Sequence, residues 1–230
     1  MNRYKHIAIM VAMEKELNLL LHQLDGRKSS QFDNYTVHTG VLYGVKVTVL
    51  KCGIGKVNAT IATMSLLQHF PDVELVVNTG VAGGADTRLG PMDVVFGEQI
   101  AYHDVWCGPG TIYGKADGFP LYFNSSLAVL DSIDWVSNPN YHRGLICTGE
   151  QFINEAKQIT EIKRHFPEVM AVDMESAAIA HVCYMRHKPF VSVRVISDSP
   201  WAGKSSIEYE DFFTEAPHQT FNVINDILKV

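Results

Sequence analysis

Short apolar runs alternate along this chain with longer stretches in which apolar residues recur every three or four positions. The runs are rich in Val and Ile: "HIAIMVA", "VKVTVLKC", "ELVVNTG", "MDVVFGEQIAY", "HRGLICTG", "EVMAVDM" and "FVSVRVISD". Such runs read as largely buried strands, and helical periodicity between them makes the fold class α/β. The pattern predicts helices near 13–24, 57–70, 124–133, 154–165, 174–187 and 209–228. In the first, Leu17, Leu20, Leu21 and Leu24 repeat at i, i+3, i+4, i+7, the core-facing stripe of an amphipathic helix. No internal repeat or low-complexity segment interrupts the pattern. The least regular stretch, 106–120 ("WCGPGTIYGKADGFP"), reads as a Gly/Pro loop carrying aromatics, and both a functional loop and a tolerated surface loop fit it.

Composition narrows the class. With 230 residues, 47% of them hydrophobic, the chain can bury one sizeable core, so residues 1–230 are expected to form a single domain. A formal charge of -6 without any Lys/Arg cluster argues against nucleic acid or a membrane surface as partner, since both demand a basic footprint. A small neutral or zwitterionic molecule fits better. Cys52, Cys107, Cys147 and Cys183 include no C-x-x-C pair, and the ten histidines form no H-E-x-x-H, so no metal site and no cofactor are expected. The start "MNRYKHIAIMVAME" carries neither a cleavage pattern nor a bilayer-length run, which points to a cytoplasmic protein with reduced thiols.

Polar residues worth questioning sit at the ends of the apolar runs. Glu14 and Glu16 follow the first, Gly53 and Gly55 the second, and Gly80 to Gly84 the third; Asp173 and Glu175 follow "VMAV", and Asp198 follows "VSVRVIS". Ligands of α/β sheets bind outside the carboxyl ends of strands. If these strands share one sheet and run parallel, five segments converge on one pocket.

Each motif has a plainer alternative. "CGIGKVNA" lacks the third glycine of a dinucleotide loop, so a tight turn or a close backbone approach to a ligand explains Gly53 and Gly55 better. "NTGVAGG" exposes successive backbone N–H groups that could bind an anion or a water, or could simply pack closely. Glu14 and Glu16 both suit the first turn of a helix, and periodicity does not choose between them. Asp198 fits a strand-ending turn, yet in a desolvated site its carboxyl would hold a proton and could act as a general acid. Glu175 opens "MESAAIAHVCYM", a helix with hardly a polar face. A helix-terminal charge or an ion pair with Arg194 would explain it, and so would vicinal sugar hydroxyls. No G-x-S-x-G elbow is present.

Taken together, "AMEKE", "GIGKVNA", "NTGVAGG", "YHD", "GEQFIN", "VDMESAAIAHVC" and "RVISD" resemble, in order and spacing, the 5′-methylthioadenosine/S-adenosylhomocysteine nucleosidases of the nucleoside phosphorylase superfamily. The resemblance runs from "IAIMVAMEKEL" to "EYEDFF". It implies a three-layer α/β sandwich around a central mixed, partly barrel-like sheet, and a homodimer. It places the water-activating glutamate at Glu16, the purine-protonating aspartate at Asp198 and the ribose-gripping glutamate at Glu175. Met174 matches a methionine packed on the ribose and Phe152 an aromatic stacked on adenine, with the backbone of Phe152 and Ile153 reading the purine edge. Met13, Ile54, Val81 and Arg194 join the substrate site by the same resemblance. The aromatic loop at 106–113, reaching the neighbouring subunit, and Tyr209 or Phe212 would line the 5′ pocket.

The implied reaction is hydrolysis of the N-glycosidic bond of 5′-methylthioadenosine and S-adenosylhomocysteine, and also of 5′-deoxyadenosine. The alternatives are a phosphate-dependent phosphorylase, a futalosine-type nucleosidase and a non-catalytic nucleoside-binding protein. Three positions depart from the family pattern. Val81 stands where many relatives carry Ser, and with no arginine beside it in sequence this favours water over phosphate. Asp173 shortens the second carboxylate of V-E-M-E and is expected to be supporting rather than catalytic. The segment "SDSPWAGKSS" also departs from the usual one, and Trp201 in it is expected as a new wall or lid element.

Overall fold

A computed structural model of the chain describes residues 3–198 and 217–228. The described strands are β1 (His6–Val11), β2 (Asp25–Phe32), β3 (Tyr35–Leu42), β4 (Val45–Lys51), β5 (Leu75–Gly84), β6 (Val94–Tyr102), β7 (Phe123–Asn124), β8 (Tyr141–Thr148), β9 (Val169–Asp173) and β10 (Phe190–Asp198). The helices are α1 (Glu14–Leu21), α2 (Lys56–His69), α3 (Leu127–Leu130), α4 (Ala156–His165), α5 (Ser176–Met185) and α6 (Pro217–Leu228).

All ten strands belong to one sheet in the order β10-β6-β8-β9-β5-β1-β4-β3-β2, with β7 on β6, and a further β10–β5 pairing closes five of them into a barrel. The sheet is mixed. β1, β4, β5 and β10 run parallel, whereas β6, β8 and β9 run parallel to each other and antiparallel to β10 and β5. The condition of a wholly parallel sheet therefore fails. Convergence survives because β5 is long: its end at Gly83 and Gly84 crosses to pair with Val172 and Ala171, next to the carboxyl end of β9.

Side-chain alternation builds three layers. Ala8 and Met10 of β1 face a cluster with Ala59, Ala62 and Leu66 of α2 and with Ala177 to Cys183 of α5. Ile7, Ile9 and Val11 face the other way, onto Leu17 and Leu20 of α1 and Val223, Ile224 and Ile227 of α6. That period of two puts an apolar residue on each face, which is why these strands read as continuous apolar runs.

Three elements differ from expectation. The hairpin β2–β3 was not anticipated, because β2 ("DGRKSSQF") is exposed along almost its whole length and carries no apolar alternation. The helix expected at 124–133 shrinks to α3, since Phe123 and Asn124 are drawn into register with Ile100 and Gln99 of β6. Of the helix expected at 209–228, residues 217–228 are helical as α6, and 209–216 lie outside the described residues. Among the described residues no helix is long and apolar enough to cross a membrane.

Candidate active site

Glu16 is the third residue of α1, and its side chain turns back over the end of β1. Oε2 accepts the N–H groups of Ala12 (2.9 Å) and Met13 (2.8 Å), the reach-back that satisfies orphan donors at a helix start. Oε1 accepts the N–H of Val81 at 3.2 Å, so an anion held by the backbone of "NTGVAGG" is the protein's own carboxylate. The approach depends on Gly80: a Cβ there would lie 2.5 Å from Oε1 of Glu16 and 2.7 Å from Nη1 of Arg194. Burial raises the pKa of Glu16, opposed by Arg194 and by the three backbone donors. Glu14, by contrast, is exposed and forms a surface ion pair with Lys51 at 2.7 Å. Tertiary structure thus separates two glutamates that periodicity could not.

Glu175 is buried immediately before α5. Its Oε1 accepts the N–H of Gly55 at 3.0 Å, and its Oε2 lies 3.5 Å from Nη2 of Arg194. Gly55 starts α2 with φ +95°, a conformation that favours glycine, so the turn in "CGIGKVNA" aims a helix-start donor at a carboxylate. Burial pushes the pKa of Glu175 up; Arg194 opposes this and the neighbouring Asp173 adds to it.

Arg194, 1% exposed, is held from several sides. Its guanidinium meets Oδ2 of Asp173 and Oδ1 of Asn78, both at 2.5 Å, and the hydroxyl of Ser176 at 3.2 Å. Asp173 also accepts from the Thr148 hydroxyl (2.5 Å) and from the N–H of Ser176 (3.1 Å), so it caps α5. Asp198 ends β10 fully buried, and Ser197 donates its hydroxyl to Oδ1 of Asp198 at 2.7 Å.

These groups border one cleft. Met13, Glu16, Ile54, Val81, Phe152, Ile153, Met174, Glu175 and Asp198 all line it, together with Ala12, Ala82, Gly83, Gln151, Val172, Asp173 and Ser197. Phe152 and Ile54 are half exposed at its mouth, while the carboxylates lie deep. Arg194 does not line the cleft; it stands behind Glu175. Nor is Val81 remote from an arginine in space, because β10 pairs Arg194 with Gly80. That arginine is already engaged by Asp173, Asn78 and Ser176. Tyr209, Phe212 and Trp201 lie outside the described residues. The 106–113 loop contributes nothing to the cleft of its own chain: Tyr113 stacks on His165 with ring centroids 3.8 Å apart, and Trp106 and Ile112 face outward.

Sequence reasoning missed Ser197 and Gln151 in the wall, and Asn78, Thr148 and Ser176 in the support. A signal existed for three of them. Asn78, Thr148 and Ser197 each sit in an apolar strand, and a buried polar group there must find a partner. Which partner could not be read from spacing.

Comparison with known proteins gives the family and the fold. Residues 6–229 match the model of the phosphorylase superfamily. A 5′-methylthioadenosine/S-adenosylhomocysteine nucleosidase of an Exiguobacterium species is 38% identical over 229 residues, covering 97% of both chains. The structure of the enzyme of that name from S. pneumoniae, solved with a transition-state inhibitor, superposes with a TM-score of 0.90 at 35% identity, covering 97% of this chain and 98% of that one. A futalosine hydrolase of Helicobacter pylori shares the fold, with a TM-score of 0.88 at 24% identity and 97% of each chain covered. Coverage from end to end, at this identity and with this superposition, places the chain among the 5′-methylthioadenosine/S-adenosylhomocysteine nucleosidases of the phosphorylase superfamily.

Proposed function

We propose that this chain, acting as one domain, hydrolyses the N-glycosidic bond of 5′-methylthioadenosine and S-adenosylhomocysteine, and of 5′-deoxyadenosine, releasing adenine and the corresponding ribose derivative. The observation that carries this reading is the meeting of three buried carboxylates from three distant segments, Glu16, Glu175 and Asp198, at one cleft with an apolar shelf of Phe152, Ile153 and Met174.

Cleaving an N-glycosidic bond passes through an oxocarbenium-like sugar, so the site must stabilise a departing base and place a nucleophile. Asp198 donates a proton to adenine N7, and the base leaves neutral. Glu16 accepts a proton from the water that attacks the anomeric carbon. Its three backbone donors fix both oxygens, which sets the direction from which water is held. Glu175, tethered by one N–H to Oε1, receives the ribose hydroxyls. Phe152 at the cleft mouth supplies a flat apolar face for the purine.

Water is favoured over phosphate as the nucleophile. Val81 has no hydroxyl, its N–H is already given to Glu16, and the arginine that comes closest is buried among its own partners. A homodimer fits the apolar residues left exposed on and beside α2, namely Ile54, Val57 and Ile61.

The test is purified protein with 5′-methylthioadenosine, with and without phosphate, followed by mass spectrometry. Free adenine and methylthioribose, unaffected by phosphate, are expected. Methylthioribose 1-phosphate appearing only with phosphate would make the chain a phosphorylase. Adenosines carrying a 5′-homocysteinyl, 5′-deoxy or futalosine-type group, run in parallel, measure 5′ breadth.

A further inference from the structure

Arg194 faces three buried carboxylates, and its contacts with two of them are unequal. Nη2 lies 2.5 Å from Oδ2 of Asp173 but 3.5 Å from Oε2 of Glu175. Asp173 holds the closer position because it is fixed from elsewhere, by the Thr148 hydroxyl at 2.5 Å, by the N–H of Ser176 and by the Ser176 hydroxyl. Glu175 has one short tether, the N–H of Gly55 at 3.0 Å, and its hydrogen bond from Arg194 is stretched to 3.5 Å. Were Glu175 as close to the guanidinium as Asp173 is, an incoming diol would have to displace a short charge-assisted bond, which is among the stronger hydrogen bonds of proteins. Resting on the assignment of Glu175 to the ribose hydroxyls, we propose that Asp173 is a positioning residue that occupies Arg194 and so keeps Glu175 open to the substrate diol.

Capping of α5 is the plainer role for Asp173, and one substitution separates the two. Asn caps helices as well as Asp does, so Asp173→Asn keeps an acceptor for Ser176 N–H while removing the charge that holds Arg194. The charged and titratable groups in this field are few. Arg194 is faced by Asp173 from β9, Glu175 at the start of α5, Glu16 from α1 and the Cys52 thiol after β4. Asp173 is also faced by Cys147 on β8 and His103 after β6. Removing the Asp173 charge takes a like charge from Glu175 and frees the guanidinium to approach it, so the proton affinity of Glu175 falls.

The experiment combines crystal structures with kinetics on 5′-methylthioadenosine for Asp173→Asn, Asp173→Glu and Thr148→Val. In Asp173→Asn the 3.5 Å separation of Glu175 and Arg194 is expected to shorten to that of a close ion pair. KM should rise about ten-fold while kcat changes much less, as expected for competition over one charge-assisted hydrogen bond. The acid limb of the kcat/KM profile should move to lower pH by roughly one unit, a shift that loss of a helix cap would not produce. Asp173→Glu should restore KM, and Thr148→Val, which loosens Asp173, should shift KM in the same direction by less. An unchanged Glu175–Arg194 separation, or a fall in kcat alone with an unmoved acid limb, overturns the inference. If Asp173→Asn does not fold, the same readings on Thr148→Val decide it. If the wild type releases no adenine, the nucleosidase reading fails, and the Glu175–Arg194 separation in the variants still decides this one.

Discussion

Gly55 and Glu175, 120 residues apart in the chain, meet through one hydrogen bond: the Gly55 N–H donates to Oε1 of Glu175 at 3.0 Å. The contact ties the start of α2 to the start of α5, and it uses a backbone donor that a glycine turn can aim without a side chain in the way. A Cβ at position 55 would lie 2.5 Å from Oε1 of Glu150, and φ there is +95°. Gly55→Ala should therefore cost stability by about 1–3 kcal/mol and raise KM, because the turn that presents the N–H must shift. Denaturant unfolding and steady-state kinetics on the same preparation check both effects.

Glu16 accepts three backbone N–H groups, and an amide in its place can accept at only one of its two terminal atoms. Glu16→Gln should lower kcat by about 10²–10⁴-fold, the usual contribution of a general base. Gly80→Ala should also lose turnover with Glu16 intact, since the added methyl would enter the space of that carboxylate and of Arg194. Full activity in Gly80→Ala would show that the position of Glu16 is not critical.

Asp198→Asn keeps the acceptor that Ser197 uses but cannot deliver a proton. Turnover should fall by about 10²–10⁴-fold, while adenine binding measured by calorimetry changes far less. A variant with near-normal turnover would remove Asp198 from the mechanism.

Burial raises the pKa of both Glu16 and Glu175 above the ordinary 4.5. The folded protein then holds these protons more tightly than the unfolded chain, so the associated stability is present below pH 4.5 and is lost as pH rises through the raised folded values. Ionising either carboxylate in the folded state therefore costs stability. Glu175→Gln should melt at or above the wild-type temperature near pH 8 while binding nucleoside more weakly. Activity should fall on acidification from a pH above the ordinary glutamate range. A Glu175→Gln variant clearly less stable at pH 8 would mean that pairing with Arg194 outweighs desolvation.

Much of this molecule was legible in its sequence, and the residues show why. Ile7 to Val11, Val47 to Leu50 and Val191 to Val195 are buried on both faces, and a strand with no solvent side must be largely apolar. The leucines of α1 announced their own face, with Leu17 and Leu20 buried and Leu24 buried just past the end of the helix, which stops at Leu21 instead of the expected 24. Ordered motifs carried the family, and with it the positions of Glu16, Glu175 and Asp198 in one cleft. The exposed strand β2 left no mark, because backbone pairing alone imposes no pattern on side chains that face water on both sides.

Strand direction and charge pairing were decided in three dimensions. Nothing local distinguishes β9, which runs against β5, from β1, which runs with it, since both present the same run of buried apolar residues. Glu14 and Glu16 suit the same helix turn equally, and only the arrival of Val81 beside one of them, and of Lys51 beside the other, makes one a buried carboxylate and the other a surface charge. Arg194 lies closer to Asp173 than to Glu175 for the same reason: a sequence states which charges exist, whereas burial and distance between segments far apart in the chain determine how closely they meet.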